Sequence, residues 1–136
     1  MFYSFNVDVP PDTDEDSAED TPLEVSAGII HQVDLVFPTN ANREIYLRIF
    51  AGSYQFIPVN PRGAVRANNT IISTREFLTL HDWNNTLTLR AWNVHATETF
   101  TVGINIGILP KRILQPFSFE ELLRVALAAE GEEIET

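Results

Sequence analysis

Cysteine is absent from this 136-residue chain, so disulfides, thiol nucleophiles and Cys/His zinc centres have no part in its fold or chemistry. No apolar run approaches the roughly 18 residues that a membrane span requires. The opening MFYSFNVDV carries neither the basic start nor the apolar block of a signal peptide, which predicts synthesis in the cytoplasm and no membrane partner. A glycine-rich phosphate loop and a nucleophile elbow are both missing. There are three histidines, His31, His81 and His95. None forms the pair two residues apart on one strand, with a glutamate soon after, that a cupin-type metal site needs. His31 falls on the apolar side of a strand pattern and reads as a core histidine, while His81 and His95 fall in turns. His81 and Asp82 are adjacent, so on extended chain their side chains diverge and do not form an oriented base. The expectation is a protein without catalytic residues, cofactor or metal.

Cationic charge is also scarce, with nine Lys and Arg against nineteen Asp and Glu and a formal net charge of −10. That balance argues against general nucleic-acid binding, because phosphates would be repelled. Its distribution is uneven. Residues 1–28 hold eight acids and no base, residues 29–114 hold eight bases and five acids, and residues 115–136 hold six acids and one base. A mildly basic body therefore lies between two acidic ends. Asp12, Asp14 and Asp16 imitate the start of a calcium-binding loop, but Ser17 stands where that loop needs glycine and Leu23 where it needs a bidentate glutamate. The segment 12–21 reads as a solvated loop.

What the chain does have is alternation. Leu87, Leu89 and Ala91 alternate with Thr86, Thr88, Arg90 and Trp92. After a short interruption, Phe100, Val102, Ile104, Ile106 and Ile108 alternate with Thr99, Thr101, Gly103, Asn105 and Gly107. Period two over this length marks half-buried strands joined as a hairpin, which need a second sheet to cover their apolar face. Tyr3, Phe5, Val7 and Val9 repeat the pattern before Pro10-Pro11. So do Ile29, His31, Val33, Leu35 and Phe37 before Pro38, and Ile45, Leu47 and Ile49 after the turn at 39–42. Shorter pieces follow at 54–57, 70–74 and 77–80. The predicted fold is all-β, an antiparallel, jelly-roll-like β-sandwich of about eight strands with a C-terminal amphipathic helix. Its parts are an N-terminal strand and acidic arm (1–28), the sandwich domain (29–109), and a linker, helix and acidic tail (110–136). Val33, Leu35, Leu47, Ile49, Leu87, Leu89, Val102, Ile104 and Ile106 are the predicted core.

Candidate contact residues fall into three groups. Ser118 and Glu121 have capping-box spacing, and Phe119, Leu122, Leu123 and Ala126 then make an apolar stripe at helical spacing. That stripe packs either on its own domain or on another subunit. Tyr54, Trp83 and Trp92 are candidates for exposed aromatics, suited to a subunit contact or to stacking on a glycan. Arg62 and Arg66, with Arg43, Arg48, Arg75, Arg90, Lys111 and Arg112, supply the basic body that the acidic ends are expected to meet across subunits.

The phrases FYSFNVDVP, GIIHQVDLVFP, EIYLRIFAGSYQFIPVNPRG and TLTLRAWNVHATETFTVGINIGILPK together resemble a group of small proteins encoded by tailed bacteriophages. The likeness covers most of residues 1–114. It implies a β-sandwich virion component that assembles as a homo-oligomer with other virion proteins, serving capsid decoration, neck or portal attachment, or a fibre base. The alternative expectation is a carbohydrate-binding module for attachment to a host surface.

Overall fold

The computed structural model describes residues 1–83 and 85–110, and the described residues form eight strands. They are β1 (Phe2–Val9), β2 (Glu19–Glu24), β3 (Gly28–Phe37), β4 (Ile45–Ala51), β5 (Tyr54–Ile57), β6 (Thr70–Leu80), β7 (Thr86–Asn93) and β8 (Phe100–Leu109). The two sheets are four-stranded and antiparallel, with orders β1-β8-β3-β6 and β2-β7-β4-β5. Within these orders β4 pairs β5, β3 pairs β6, β2 pairs β7 and β1 pairs β8. β7 and β8, which the alternation suggested as a hairpin, do not pair with each other: the connection at 94–99 carries the chain from one sheet to the other. The chain is thus doubled about the tight Gly52-Ser53 turn, where Gly52 takes φ 59° at low steric cost.

The alternation that defines the strands also defines the core. All nine core residues named from the pattern are fully buried, and they join side chains of both sheets in one hydrophobic cluster. The all-β class and the number of strands agree with the sequence reading; the C-terminal helix lies outside the described residues. Strands also come from the segment 1–28. β1 pairs β8 along its whole length, with Tyr3, Phe5 and Val7 packed against the core and Val9 in it. β2 begins inside the acidic segment and pairs β7 from Glu19 to Glu24. Pro22 is tolerated there because β2 is an edge strand, where a missing N–H costs no ladder bond.

His31 is the main departure from simple alternation. The register shifts between Ile30 and Gln32 against both neighbouring strands. This bulge puts Ile30 into the shared core, leaves Ile29 buried outside that cluster, and turns His31 away from the interior. The imidazole covers Gly107 instead: a Cβ at that position would meet His31 Nε2 at 2.7 Å and Cε1 at 3.1 Å. The half-buried His31 therefore fills the space above a strand glycine and is not a core residue.

Candidate functional site

The outward face of the β2-β7-β4-β5 sheet carries the densest set of charged and aromatic side chains. Leu87, Leu89 and Ala91 point inward on β7, so Thr88, Arg90 and Trp92 point out. Their register partners on β4 are Phe50, Arg48 and Tyr46. Arg48 and Arg90 are thereby set directly opposite one another, an arrangement that repels. The two side chains diverge along the sheet: the Arg48 guanidinium lies 4.9 Å from the Trp92 ring centre, and that of Arg90 lies 4.7 Å from Phe50. Tyr46 stacks on Trp92 at 4.9 Å with an interplanar angle of 7°, and Arg66 lies 4.2 Å over Tyr46. The result is a continuous stack, Arg66, Tyr46, Trp92 and Arg48, of the kind in which a cation faces the negative surface of a ring.

The acidic segment neutralises the two opposed cations. Glu15 binds Arg48 Nη1 at 2.9 Å, and Asp20 accepts two bonds from Arg90, from Nε at 2.8 Å and Nη2 at 3.1 Å. Hydrogen bonding from Arg90, and then its charge, holds the Asp20 carboxyl below the usual range, while the same bond raises Arg90. Asp14 is held low by the backbone and hydroxyl of Ser17, which close a tight turn. Backbone bonds fix the rest: Asp12 N donates to His95 O at 2.8 Å and Thr13 N to Asn93 O at 2.9 Å. Asn93, fully buried, donates to Val9 O and Glu98 O. The acidic loop, which reads in the sequence as solvated, is therefore tied down by its own chain.

Arg48 is the centre of this arrangement. It is 6 % exposed and also donates from Nε to Gly63 O at 2.7 Å and from Nη2 to Arg62 O at 2.9 Å. One guanidinium thus joins the acidic loop, the sheet and the 58–63 turn. Gln55 Nε2 supports the same turn through the carbonyls of Pro58, Asn60 and Gly63.

The candidate contact residues do not form one platform. Trp92 faces outward, as its strand position predicts, but is 5 % exposed beneath the arginine stack, so it offers no free stacking surface. Tyr54 is exposed at the start of the edge strand β5. Trp83 is 80 % exposed in the β6–β7 turn and stacks on His81 at 4.9 Å. Together with Ala27, Gly28, Leu80, Asp82 and Pro110 these two rings line a shallow cleft of about 360 Å³. Arg66 is exposed at the opposite end of the sheets, where its Nε donates to Arg43 O at 2.7 Å, and Arg62 is exposed beside Arg48, which binds its carbonyl. Phe119, Leu122, Leu123 and Ala126 lie outside the described residues.

His95 is a loop fastener: its Nδ1 accepts from the backbone N–H groups of Thr97 and Glu98, and its ring packs edge-on against Phe100. Among the described residues no cluster of three or more His, Cys, Asp or Glu side chains is placed to hold a metal ion.

On the other sheet, the outward side mixes polar residues with the exposed apolar side chains Phe2 on β1 and Ile71 and Phe77 on the edge strand β6. Ser4 donates to Asn105 at 2.8 Å and Gln32 to Asp34 at 3.1 Å, and Thr101 bonds Asp8. The arginine–aromatic stack is not visible in either strand's sequence alone. Its signal was the outward order Tyr46, Arg48, Phe50 on one strand and Thr88, Arg90, Trp92 on another, which becomes a stack only once the two strands are neighbours in this register.

No protein-family model, curated protein or solved structure matches the chain.

Proposed function

We propose that this chain is a non-enzymatic structural component of a tailed-phage virion, a jelly-roll sandwich that works as an oligomer. The observation that carries this reading is the nested pairing of β1 with β8, β2 with β7, β3 with β6 and β4 with β5. Wrapping one long antiparallel hairpin into two facing sheets produces that order, and jelly rolls of this kind build viral capsid and lectin domains. The phage-like phrases in residues 1–114 favour the first of those uses. So does the fate of the outward face of the β7-containing sheet, which is filled by the chain's own arginines and acidic loop. The roles open to it are capsid decoration, neck or portal attachment, and the base of a fibre. Mass spectrometry and cryo-electron microscopy of purified particles from a phage encoding this chain test the proposal. Fixed, stoichiometric copies at one symmetric position are expected; absence from purified virions refutes it.

Trp83 supports one other reading, a carbohydrate-binding module. Its ring is the most exposed large apolar side chain among the described residues and stands beside a cleft, which is how an aromatic meets a sugar face. A glycan array on the full chain, repeated with Trp83→Ala, separates the two: binding that disappears in the variant would favour the module.

A further inference from the structure

Each four-stranded sheet has two edges, and three of the four edges are guarded in ways that natural sheets use against pairing with other chains. β2 contains Pro22 and the charges Glu19, Asp20 and Glu24. β5 is four residues long and is followed by Pro58. β1 is stapled to the chain leaving β2, since the Tyr3 hydroxyl donates to Ser26 Oγ at 2.9 Å and accepts from Ser26 N at 3.2 Å. β6 is different. It is the longest strand, at 11 residues, contains no proline, and pairs only with β3 among the described strands. Among the described residues no backbone hydrogen bond reaches its outer side.

The side chains of β6 select what fits that edge. Ile71 and Phe77 are 61 % and 59 % exposed. An even separation along the strand puts them on one outward row with Ser73 and Arg75. Two copies of β6 can meet antiparallel across a two-fold axis, and the registers that pair most of the strand are centred on Thr74, Arg75 or Glu76. Centring on Arg75 sets two arginines directly opposite one another, and centring on Glu76 does the same with two glutamates; both repel. Centring on Thr74 avoids both. Arg75 then faces Ser73 of the other copy, with the two arginines only diagonal, and Glu76 faces Ile72. Ile71 faces Phe77 twice, once on each side of the axis, and an aromatic opposite a β-branched residue is a favourable cross-strand pair. A place for the ring is already present. Ile71 lies beside Val36, its register partner on β3, and with Phe37, Asn69 and Thr70 these residues line a shallow groove of about 580 Å³.

We infer that β6 is a dimer edge, pairing antiparallel about Thr74 with β6 of a second copy so that Ile71 of each faces Phe77 of the other. Two four-stranded sheets thereby become one continuous sheet, and the two-fold contact closes after two copies. This rests on the oligomeric part of the function proposed above and names a contact that makes the oligomer.

The chain has no cysteine, so introduced thiols report the register without interference. Full-length Ile71→Cys and Phe77→Cys, mixed and oxidised, should give a disulfide-linked heterodimer, because opposed residues of antiparallel strands have Cα atoms about 4.5–5.5 Å apart, within disulfide reach. Each variant alone should stay unlinked, since an axis through Thr74 leaves either position roughly 20 Å from its own equivalent. Charge exchange gives a second readout. By light scattering at high protein concentration the wild-type chain should be dimeric, and Ile71→Lys and Phe77→Glu should each associate at least about tenfold more weakly. Their equimolar mixture should recover the wild-type dimer, because the heterodimer has one lysine–glutamate pair and keeps one Ile71–Phe77 pair. Both positions are exposed, so circular dichroism should show intact sheets, and the cysteine variants, which add no charge, keep the test decisive if a charged variant misfolds. A wild-type chain that stays monomeric would overturn the inference. So would a cysteine mixture that does not link, or either cysteine variant linking to itself as readily as the mixture does. None of these outcomes bears on whether the chain is found in virions, so the two proposals fail separately.

Discussion

Replacing Arg48 should release three parts of the molecule at once. In Arg48→Met the aliphatic stem is kept and the guanidinium lost, so Gly63 O and Arg62 O lose charged donors at 2.7 and 2.9 Å, and Glu15 loses its partner. Bonds from charged groups contribute up to about 1.5–3 kcal/mol each, but the 58–63 turn is wet enough for water to replace part of that, so about 1 kcal/mol per carbonyl is appropriate. The pair with Glu15, whose side chain is 59 % exposed, adds ~0–1 kcal/mol. The stacking of Arg48 on Trp92 adds about 0.5–1 kcal/mol. The expected loss is about 3 kcal/mol, a large part of the ~5–15 kcal/mol that holds a domain of this kind together. Urea unfolding measures it as a midpoint lowered by about 1–2 M at unchanged slope. Fluorescence in a Trp83→Phe background adds a local readout, since Trp92 is then the sole tryptophan and is buried only while the stack stands. Arg48→Lys should recover little, because an ammonium cannot bridge two carbonyls and a carboxylate in one plane. A loss below ~1 kcal/mol, or full recovery by lysine, would refute the assignment of Arg48 as the fastening point.

Three further outcomes are expected. Ile104→Asp should leave the chain unfolded by circular dichroism, because Ile104 is fully buried between the sheets and an unpaired buried carboxylate costs several kcal/mol, on the order of the whole stability. Gly107→Ala should destabilise by about 1 kcal/mol through contact with the His31 ring. Combined with His31→Ala the same change should be neutral or favourable, a coupling that a double-mutant cycle reads directly. Glu76 follows the inward side of the edge strand β6 between Thr74 and Leu78, and burial raises its carboxyl above the ordinary value. A raised carboxylate favours the fold at low pH and opposes it once ionised. Glu76→Gln should therefore raise the melting temperature near neutral pH, with the gain vanishing as pH falls below the ordinary carboxylate range. Asp20, held low by Arg90, gives the opposite profile: Asp20→Asn should cost ~0–1 kcal/mol near neutral pH and nothing once pH falls below the folded value of Asp20.

Strand periodicity was readable because it is local. The nine core residues named from alternation all lie in the shared core, since each strand needs only its own sequence to show which side is apolar. The bulge at His31 was hidden by that same rule: Ile29, His31 and Val33 continue the alternation on paper, and only the pairing with β8 and β6 reveals the extra residue. β2 was hidden for another reason. Glu19 and Asp20 look like solvated loop until Arg90, some seventy positions on, is placed beside them by the sheet. Trp92 was assigned to the correct face, but its burial depends on Tyr46, Arg48 and the acidic loop, none of which its own strand announces.

The nested pairing also sets the order in which this chain can come to rest during synthesis. The β4–β5 turn can close first, β6 then finds β3, β7 finds β2, and β1 waits for β8, whose first residue is Phe100. At roughly 5–20 residues per second the ribosome needs on the order of ten seconds to supply that last partner. Throughout that interval the apolar row Tyr3, Phe5, Val7 and Val9 has no strand beside it and is a hazard for sticking to other chains. The eight acids of residues 1–28 lie in and beside that row, where charges that flank an apolar strand act as gatekeepers against aggregation. The loop that later neutralises Arg48 thus has an earlier use, keeping β1 soluble until β8 has been made.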